Sequence, residues 1–267
     1  MKPAPFHYVA PQSIAAALAA LGEDAKALAG GQSLVPLLNF RLARPATIVD
    51  LNGIVGELAD LRRSGGALRI GALTRQTTLE RSRVVARGWP LLAQAVRHVA
   101  HPAIRNRGTV GGSVAHADPA AELPVALTAL DACFHVRSAQ RGTRTIAAAD
   151  FFQAPLMTAL APDELLVEIE VPPLPAGAGT GFAEHARTHG DFAQAGAAVV
   201  LAPGHAAVAI LGTGSHPLRA TDAERALSQG ASAREAAALA AQEIEHPHRR
   251  ALVAELTRRA LVQAGRA

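Results

Sequence analysis

The sequence of 267 residues predicts an α+β protein of two domains, and three observations carry that reading. Strand-like and helix-like patterns are mixed along roughly the first two-thirds of the chain. The segment Pro172-Pro-Leu-Pro-Ala-Gly-Ala-Gly-Thr-Gly181 is dense in proline and glycine and reads as a linker. Beyond it come three strand patterns and then three alanine-rich helical ones. The domains are expected at 1–174 and at 175–267.

In order, residues 4–10 read as an extended start, and Ser13 as the cap of a helix that runs through Leu21 and ends at Gly22. Ala25–Ala29 is a short strand that delivers the chain into Gly30-Gly31. Leu34–Arg41 reads as one or two helical turns interrupted by Pro36, and Thr47–Leu51 as a strand. A hairpin follows, with strands at 58–62 and 67–72 around a Ser64-Gly-Gly66 turn. Helices are expected at 78–82 and 90–100, the second with Leu91, Leu92, Ala95, Val96 and Val99 on one face. Pro102 ends it, a glycine loop follows, and a helix runs from Leu123 to Leu130. Strands are expected at 132–138, 143–147 and 164–171. The last part reads as a three-strand meander (181–187, 195–202, 206–211) followed by helices at 221–227, 233–242 and 250–264.

Composition narrows the function. Hydrophobic residues make up 49% and charged residues 18%, a globular balance. No apolar run is long enough to cross a membrane, and no secretory pattern opens the chain, so a cytoplasmic location is expected. The net charge of +4 comes from dispersed arginines with acids between them, and aromatics are only 3%. That argues against nucleic acid, which needs a concentrated basic face and stacking platforms. The single cysteine, Cys133, cannot form an intrachain disulfide or hold an iron–sulfur cluster alone; it reads as a buried structural thiol.

Two stretches carry the chemistry. Leu28-Ala-Gly-Gly-Gln-Ser-Leu-Val-Pro36 and Arg107-Gly-Thr-Val-Gly-Gly-Ser-Val-Ala-His-Ala-Asp-Pro-Ala-Ala-Glu-Leu-Pro124 each place glycines beside a hydroxyl. Glycine lets backbone N–H groups approach an anion closely, and a following helix N-terminus favours negative charge. Two such motifs suit the two phosphates of a dinucleotide such as FAD. Neither has the G-x-G-x-x-G spacing or a Walker lysine, so plain tight turns remain the alternative. Asp118 reads as a helix N-cap with Pro119 at the first helical position, or as an acceptor for ribityl hydroxyls. The near-elbow around Ser113 lacks its last glycine, which speaks against a serine hydrolase. His98, His101, His116 and Asp118 are not forced together as metal ligands. Arg187 and Asp191 read as an ion pair fixing a turn, or as a cofactor contact.

Together, Ala29–Pro36 and Arg105–Pro124 closely resemble the FAD-binding medium subunit of molybdenum hydroxylases of the carbon monoxide dehydrogenase and xanthine dehydrogenase type. The likeness extends through Pro5-Phe-His-Tyr, Leu68-Arg-Ile-Gly-Ala72, Arg187–Ala193 and Arg258-Arg-Ala-Leu261. It implies a vanillyl-alcohol-oxidase (PCMH)-type FAD-binding domain of two subdomains, about 1–56 and 57–174, followed by a C-terminal α+β domain with a three-stranded sheet and helices. It further implies FAD contacts at Ala29, Gly30, Gly31, Gln32, Ser33 and Leu34. A second set comprises Thr109, Gly111, Gly112, Ser113, Ala117, Asp118 and Glu122, with Leu165, Leu166 and Phe192 bordering the flavin ring. No residue of this chain is expected to be catalytic or to bind metal.

The resemblance also implies a division of labour. Molybdopterin oxidises the substrate on a large partner subunit, 2Fe–2S clusters of a small partner subunit relay electrons, and FAD passes them to an external acceptor. A dimer of heterotrimers is the implied assembly. The stretch Glu245–Arg250 departs from relatives by lacking a tyrosine before its arginine. Two other readings remain: a stand-alone flavin oxidoreductase of the same fold, for which no base is evident, and a non-catalytic scaffold that has kept it.

Overall fold

The computed structural model describes residues 2–212 and 214–265. Its first layer is a three-stranded parallel sheet in the order His7–Val9, Thr47–Asp50, Ala25–Leu28, with Ile48 paired to both Tyr8 and Lys26. Parallel neighbours need crossovers, and the helices Ile14–Ala20 and Leu34–Asn39 supply them. Ser13 caps the first by accepting the N–H of Ala16 at 3.2 Å. Pro36 does not interrupt the second helix. It lies in the first turn, where its missing N–H would have had no intrahelical partner. The strands run in the same sense, so the segments leaving Leu28 and Asp50 emerge at one end of the sheet.

The second layer is a five-stranded antiparallel sheet ordered Leu61–Ser64, Ala67–Gly71, Glu164–Val171, Cys133–Ser138, Gly142–Ala147. Alternation decides its faces. Leu68, Ile70, Phe134, Val136, Ile169 and Val171 point into one large core, where Phe134 stacks on Phe151 at 4.3 Å. The opposite face carries Arg69, Glu168, Glu170 and His135 in a polar network, with Arg69 2.9 Å from Glu168 and 2.8 Å from Glu170. Cys133 begins a strand beside that network and is half-buried, not fully buried as expected. Burial and then the Glu170 carboxylate push its thiol up, which keeps it unreactive.

Six short helices cover the core face: Gln76–Arg81, Arg83–Gly88, Pro90–Val96, Pro102–Arg107, Val110–His116 and Glu122–Ala129. Three differ from expectation. Arg83–Gly88 and Pro102–Arg107 fall where no helix is expected, and the supposed glycine loop is itself the first turn of Val110–His116. Thr109 caps that turn, accepting the N–H of Gly112 at 3.0 Å. Asp118 is not a helix N-cap. The next helix starts at Glu122, and Asp118 accepts the N–H of Ala120 at 2.8 Å inside the connecting turn.

The C-terminal sheet has four strands rather than three: Gly179–His185, Ala195–Ala202, His205–Leu211 and the two-residue Leu218–Arg219. Its faces separate with period two. Ala198, Val200, Ala207, Ala209 and Leu211 join the core of the second layer, while Ala195, Ala197, Val199, Val208 and Ile210 pack beneath the helices that follow. Those helices span Thr221–Ser228, Ala233–Ala240 and Pro247–Ala264. Small residues permit close packing: a Cβ on Gly181 would lie 1.9 Å from the carbonyl oxygen of Ala260. Across the proline-rich segment, buried Trp89 donates its indole N–H to the carbonyl of Pro172 at 2.7 Å.

Candidate FAD site

The two glycine-bearing motifs, about eighty residues apart in sequence, are in van der Waals contact. A Cβ on Gly30 would lie 2.3 Å from the carbonyl oxygen of Arg107 and 2.9 Å from the Cα of Gly108. Gly30 is therefore required for the approach of one motif to the other, apart from any ligand.

Each motif is held differently. The first follows the strand Ala25–Leu28, turns at Gly31 with φ of 76°, and runs into the helix Leu34–Asn39. Among the described residues, the N–H groups of Gly31, Gln32, Ser33 and Leu34 donate to no protein acceptor, while Gln32 folds its side-chain amide onto the carbonyl of Gly30 at 3.1 Å. Ser33 precedes the helix without capping it, which leaves its hydroxyl free. Four successive free amides with a hydroxyl at a strand end are the donor set that an anion cradle needs.

The second motif has no such surplus. The N–H of Val110 goes to Thr74 O, that of Gly111 to Ala72 O, that of Gly112 to the Thr109 hydroxyl and that of Ser113 to Thr109 O. Gly111 is a packing glycine, because a Cβ there would meet Ala72 at 2.6 Å. Gly112 is different. A Cβ there would meet the Thr109 hydroxyl at 2.6 Å, and Ala29 of the first motif would lie 3.9 Å away. The second motif thus brings Gly112 and its Thr109 cap alongside Ala29 of the first, with its own amides already bonded.

Past His116 the chain reverses at Ala117, which is left-handed (φ of 50°) and accepts the N–H of Leu156 at 3.0 Å. Burial pulls the His116 imidazole down and keeps it neutral. Glu122 is buried to 7% exposure at the start of its helix. Burial, and then the neighbouring Glu184 carboxylate, push its carboxyl up to about 8. Glu184 is itself buried, with one oxygen 3.2 Å from His98 Nδ1 and the other without a partner among the described residues.

Of the residues expected at a flavin ring, Leu165 and Leu166 are buried in separate cores, the first under the parallel sheet and the second under the helical layer. A register shift follows them in the strand, where Val167 accepts the N–H of Ala72, the residue that also receives Gly111. Phe192 stands 71% exposed in a turn whose Gly190 packs on His101. Arg187 and Asp191 pair loosely at 3.8 Å, with Arg187 largely in water. His98, His101, His116 and Asp118 form no metal-binding group among the described residues.

Sequence reasoning missed Asn52 and Arg75. Asn52 donates to Ala29 O at 3.0 Å, and Arg75 Nη2 donates to Asn52 Oδ1 at 2.9 Å. A polar residue two places beyond a strand that ends at Asp50 was the only signal for the first. The second had none.

Free amides of one motif packed against a second glycine-bearing motif, inside an α+β shell without the G-x-G-x-x-G turn, suit a dinucleotide-binding protein outside the Rossmann class. The chain belongs to the family described as the FAD binding domain in molybdopterin dehydrogenase, whose match covers residues 4–174. It is 47% identical over 236 residues to the 6-hydroxypseudooxynicotine dehydrogenase complex subunit alpha of Paenarthrobacter nicotinovorans, covering 85% of this chain and 79% of that one. With the nicotine 6-hydroxylase medium subunit of the same organism it shares 40% identity over 99% of both chains. Among solved structures, a chain of carbon monoxide dehydrogenase from Hydrogenophaga pseudoflava superposes with a TM-score of 0.93 at 37% identity, covering 100% of this chain and 99% of that one. It is thus an FAD-binding protein of the molybdopterin dehydrogenase family, of the type that relatives carry as a medium subunit or chain.

Proposed function

We propose that this subunit holds FAD with its diphosphate on the amides of Gly31–Leu34, against Thr109, Gly111, Gly112 and Ser113, and that it conducts electrons between a partner subunit and an external acceptor. The observation that carries the reading is the row of four free amides in a motif whose Gly30 packs directly on Arg107 and Gly108 of the second motif. Ala29 and Gly30 bring the motifs together. Asp118 and Glu122, with the Ala117 turn between the motif and the following helix, supply polar groups for the ribityl chain. Phe192, as an exposed aromatic, suits the edge of the flavin ring, and Leu165 and Leu166 back that end of the site from the cores.

When bound, FAD supplies redox chemistry that accepts and releases electrons singly or in pairs. The chain's own part is to bind, orient and insulate. Its fixed amides offset phosphate charge without reorganisation, and the buried Glu122 carboxyl holds a proton at neutral pH. In this reading, electrons arrive from 2Fe–2S clusters of the small subunit, after oxidation of substrate at molybdopterin in the large one. The assembly is a dimer of heterotrimers in the cytoplasm, and the FAD-binding domain ends near residue 174. No helix of the described residues is long and apolar enough to cross a membrane.

The test is an absorption spectrum of the purified full-length chain titrated with FAD, followed by heat release and chromatography of the flavin. FAD bands at one equivalent, with FAD and not FMN released, are expected. Absence of binding at saturating FAD would leave the motifs as packing devices. Copurification of molybdenum- and iron-containing partners tests the electron route.

A further inference from the structure

The FAD reading treats the two motifs as walls of one site, and something must set the width between them. The second motif is tied by its backbone to residues 72–76: Gly111 N–H to Ala72 O, Val110 N–H to Thr74 O, and Gln76 N–H to Gly108 O, each at 2.9 Å, with a bridge pairing Arg75 and Thr109. The first motif is tied to the end of its own sheet, where Asn52 donates to Ala29 O at 3.0 Å. Asn52 is in turn fixed by Asp50, which accepts its backbone N–H at 2.9 Å and is itself held by the Tyr8 hydroxyl.

One side chain spans the two systems. Arg75 donates through Nη1 to the carbonyl of Arg107, at the entry of the second motif, and through Nη2 to Asn52 Oδ1, one bond from the first. Both acceptors are neutral. The planar guanidinium reaches them with two donors in fixed relative orientation, which an ammonium on a flexible stem cannot do.

We propose that Arg75, acting through Asn52, is the positioning residue that sets the spacing of the two FAD-binding motifs. The proposal rests on the FAD reading above. Its expected signature is a bridge and not a charge: Arg75→Lys fails to replace arginine, and the contributions of Arg75 and Asn52 are one linkage and do not add.

The experiment titrates FAD into the full-length chain as wild type, Arg75→Lys, Arg75→Gln, Asn52→Ala and the Arg75→Gln/Asn52→Ala double variant. The unfolding midpoint of each flavin-free protein is measured in parallel. Each single variant is expected to bind FAD about tenfold more weakly, with Lys no better than Gln, and the double variant no worse than the weaker single one. Midpoints of Arg75→Lys and Asn52→Ala should stay near wild type, so that those two carry the test if Arg75→Gln folds poorly. Wild-type affinity in Arg75→Lys, or independent losses that multiply in the double variant, would overturn the proposal while leaving the FAD site standing. Failure of the wild type itself to bind FAD would overturn the site on which it rests.

Discussion

Gly30 and Arg107 meet backbone to backbone, with no room between them for the smallest side chain: a Cβ on Gly30 would stand 2.3 Å from the Arg107 carbonyl oxygen. The contact couples packing to binding, because the motif that must approach Arg107 is also the one with free amides. Gly30→Ala is therefore expected to push the motifs apart, costing about 1–3 kcal/mol of stability and most FAD affinity together. Gly22→Ala is the control, since a Cβ there meets nothing within 4 Å. Denaturant midpoints and FAD titrations of both variants check this; a Gly30→Ala protein that behaves like Gly22→Ala would break the argument.

Asp118 serves a turn through one oxygen, which accepts the Ala120 N–H at 2.8 Å. Asparagine keeps that acceptor and removes the charge. Asp118→Ala should lose about 1 kcal/mol of stability along with FAD affinity, whereas Asp118→Asn should lose FAD affinity alone, by several-fold. Unchanged FAD binding in the asparagine variant would reduce Asp118 to a turn residue.

The difference between what the chain announces and what it conceals follows from range. Strands such as Cys133–Ser138 were legible because burial imposes a period of two on the residues themselves. Ser13 was legible as a cap because its bond reaches only three residues ahead. The Val110–His116 helix was hidden, since adjacent glycines weigh against a helix and the need for Gly111 arises from Ala72, nearly forty residues earlier. Leu218–Arg219 is too short to show a period, and only its pairing with Ala209 and Ile210 makes it a strand. In the site, the glycines and hydroxyls were visible as types, but the division of labour between the motifs was not. Which amides remain free depends on partners at 72 and 74, and the link through Asn52 and Arg75 exists only in three dimensions.

Trp89 is the one tryptophan of the chain, 2% exposed, and its indole N–H ends on Pro172 O at 2.7 Å. It therefore fastens the start of the proline-rich segment to the helical layer. Trp89→Phe retains most of the apolar volume and strands the carbonyl, so a loss of about 1–2 kcal/mol is expected in urea unfolding followed by circular dichroism. In the wild type, indole fluorescence should shift to the red in the same transition. A shift well before the loss of helix signal would mean that the segment opens first and that the bond contributes little to the whole.

Glu122 gives the flavin-free protein a pH dependence of definite sign. Its folded carboxyl titrates at about 8, raised from 4.5 by burial first and the Glu184 carboxylate second. An acid with a raised folded value binds its proton more tightly when folded. Its favourable contribution is thus complete below about 4.5, declines as pH rises towards 8, and is gone above that. Over that window the wild type should lose on the order of 3–5 kcal/mol attributable to this group. Glu122→Gln, which has no proton to lose, should match the wild type near pH 4.5 and be the more stable at pH 8.5. The check is a series of denaturant titrations between those limits on both proteins. Parallel curves would show that the Glu122 carboxyl ionises without cost, and with it would go the picture of a neutral, proton-holding acid at this end of the site.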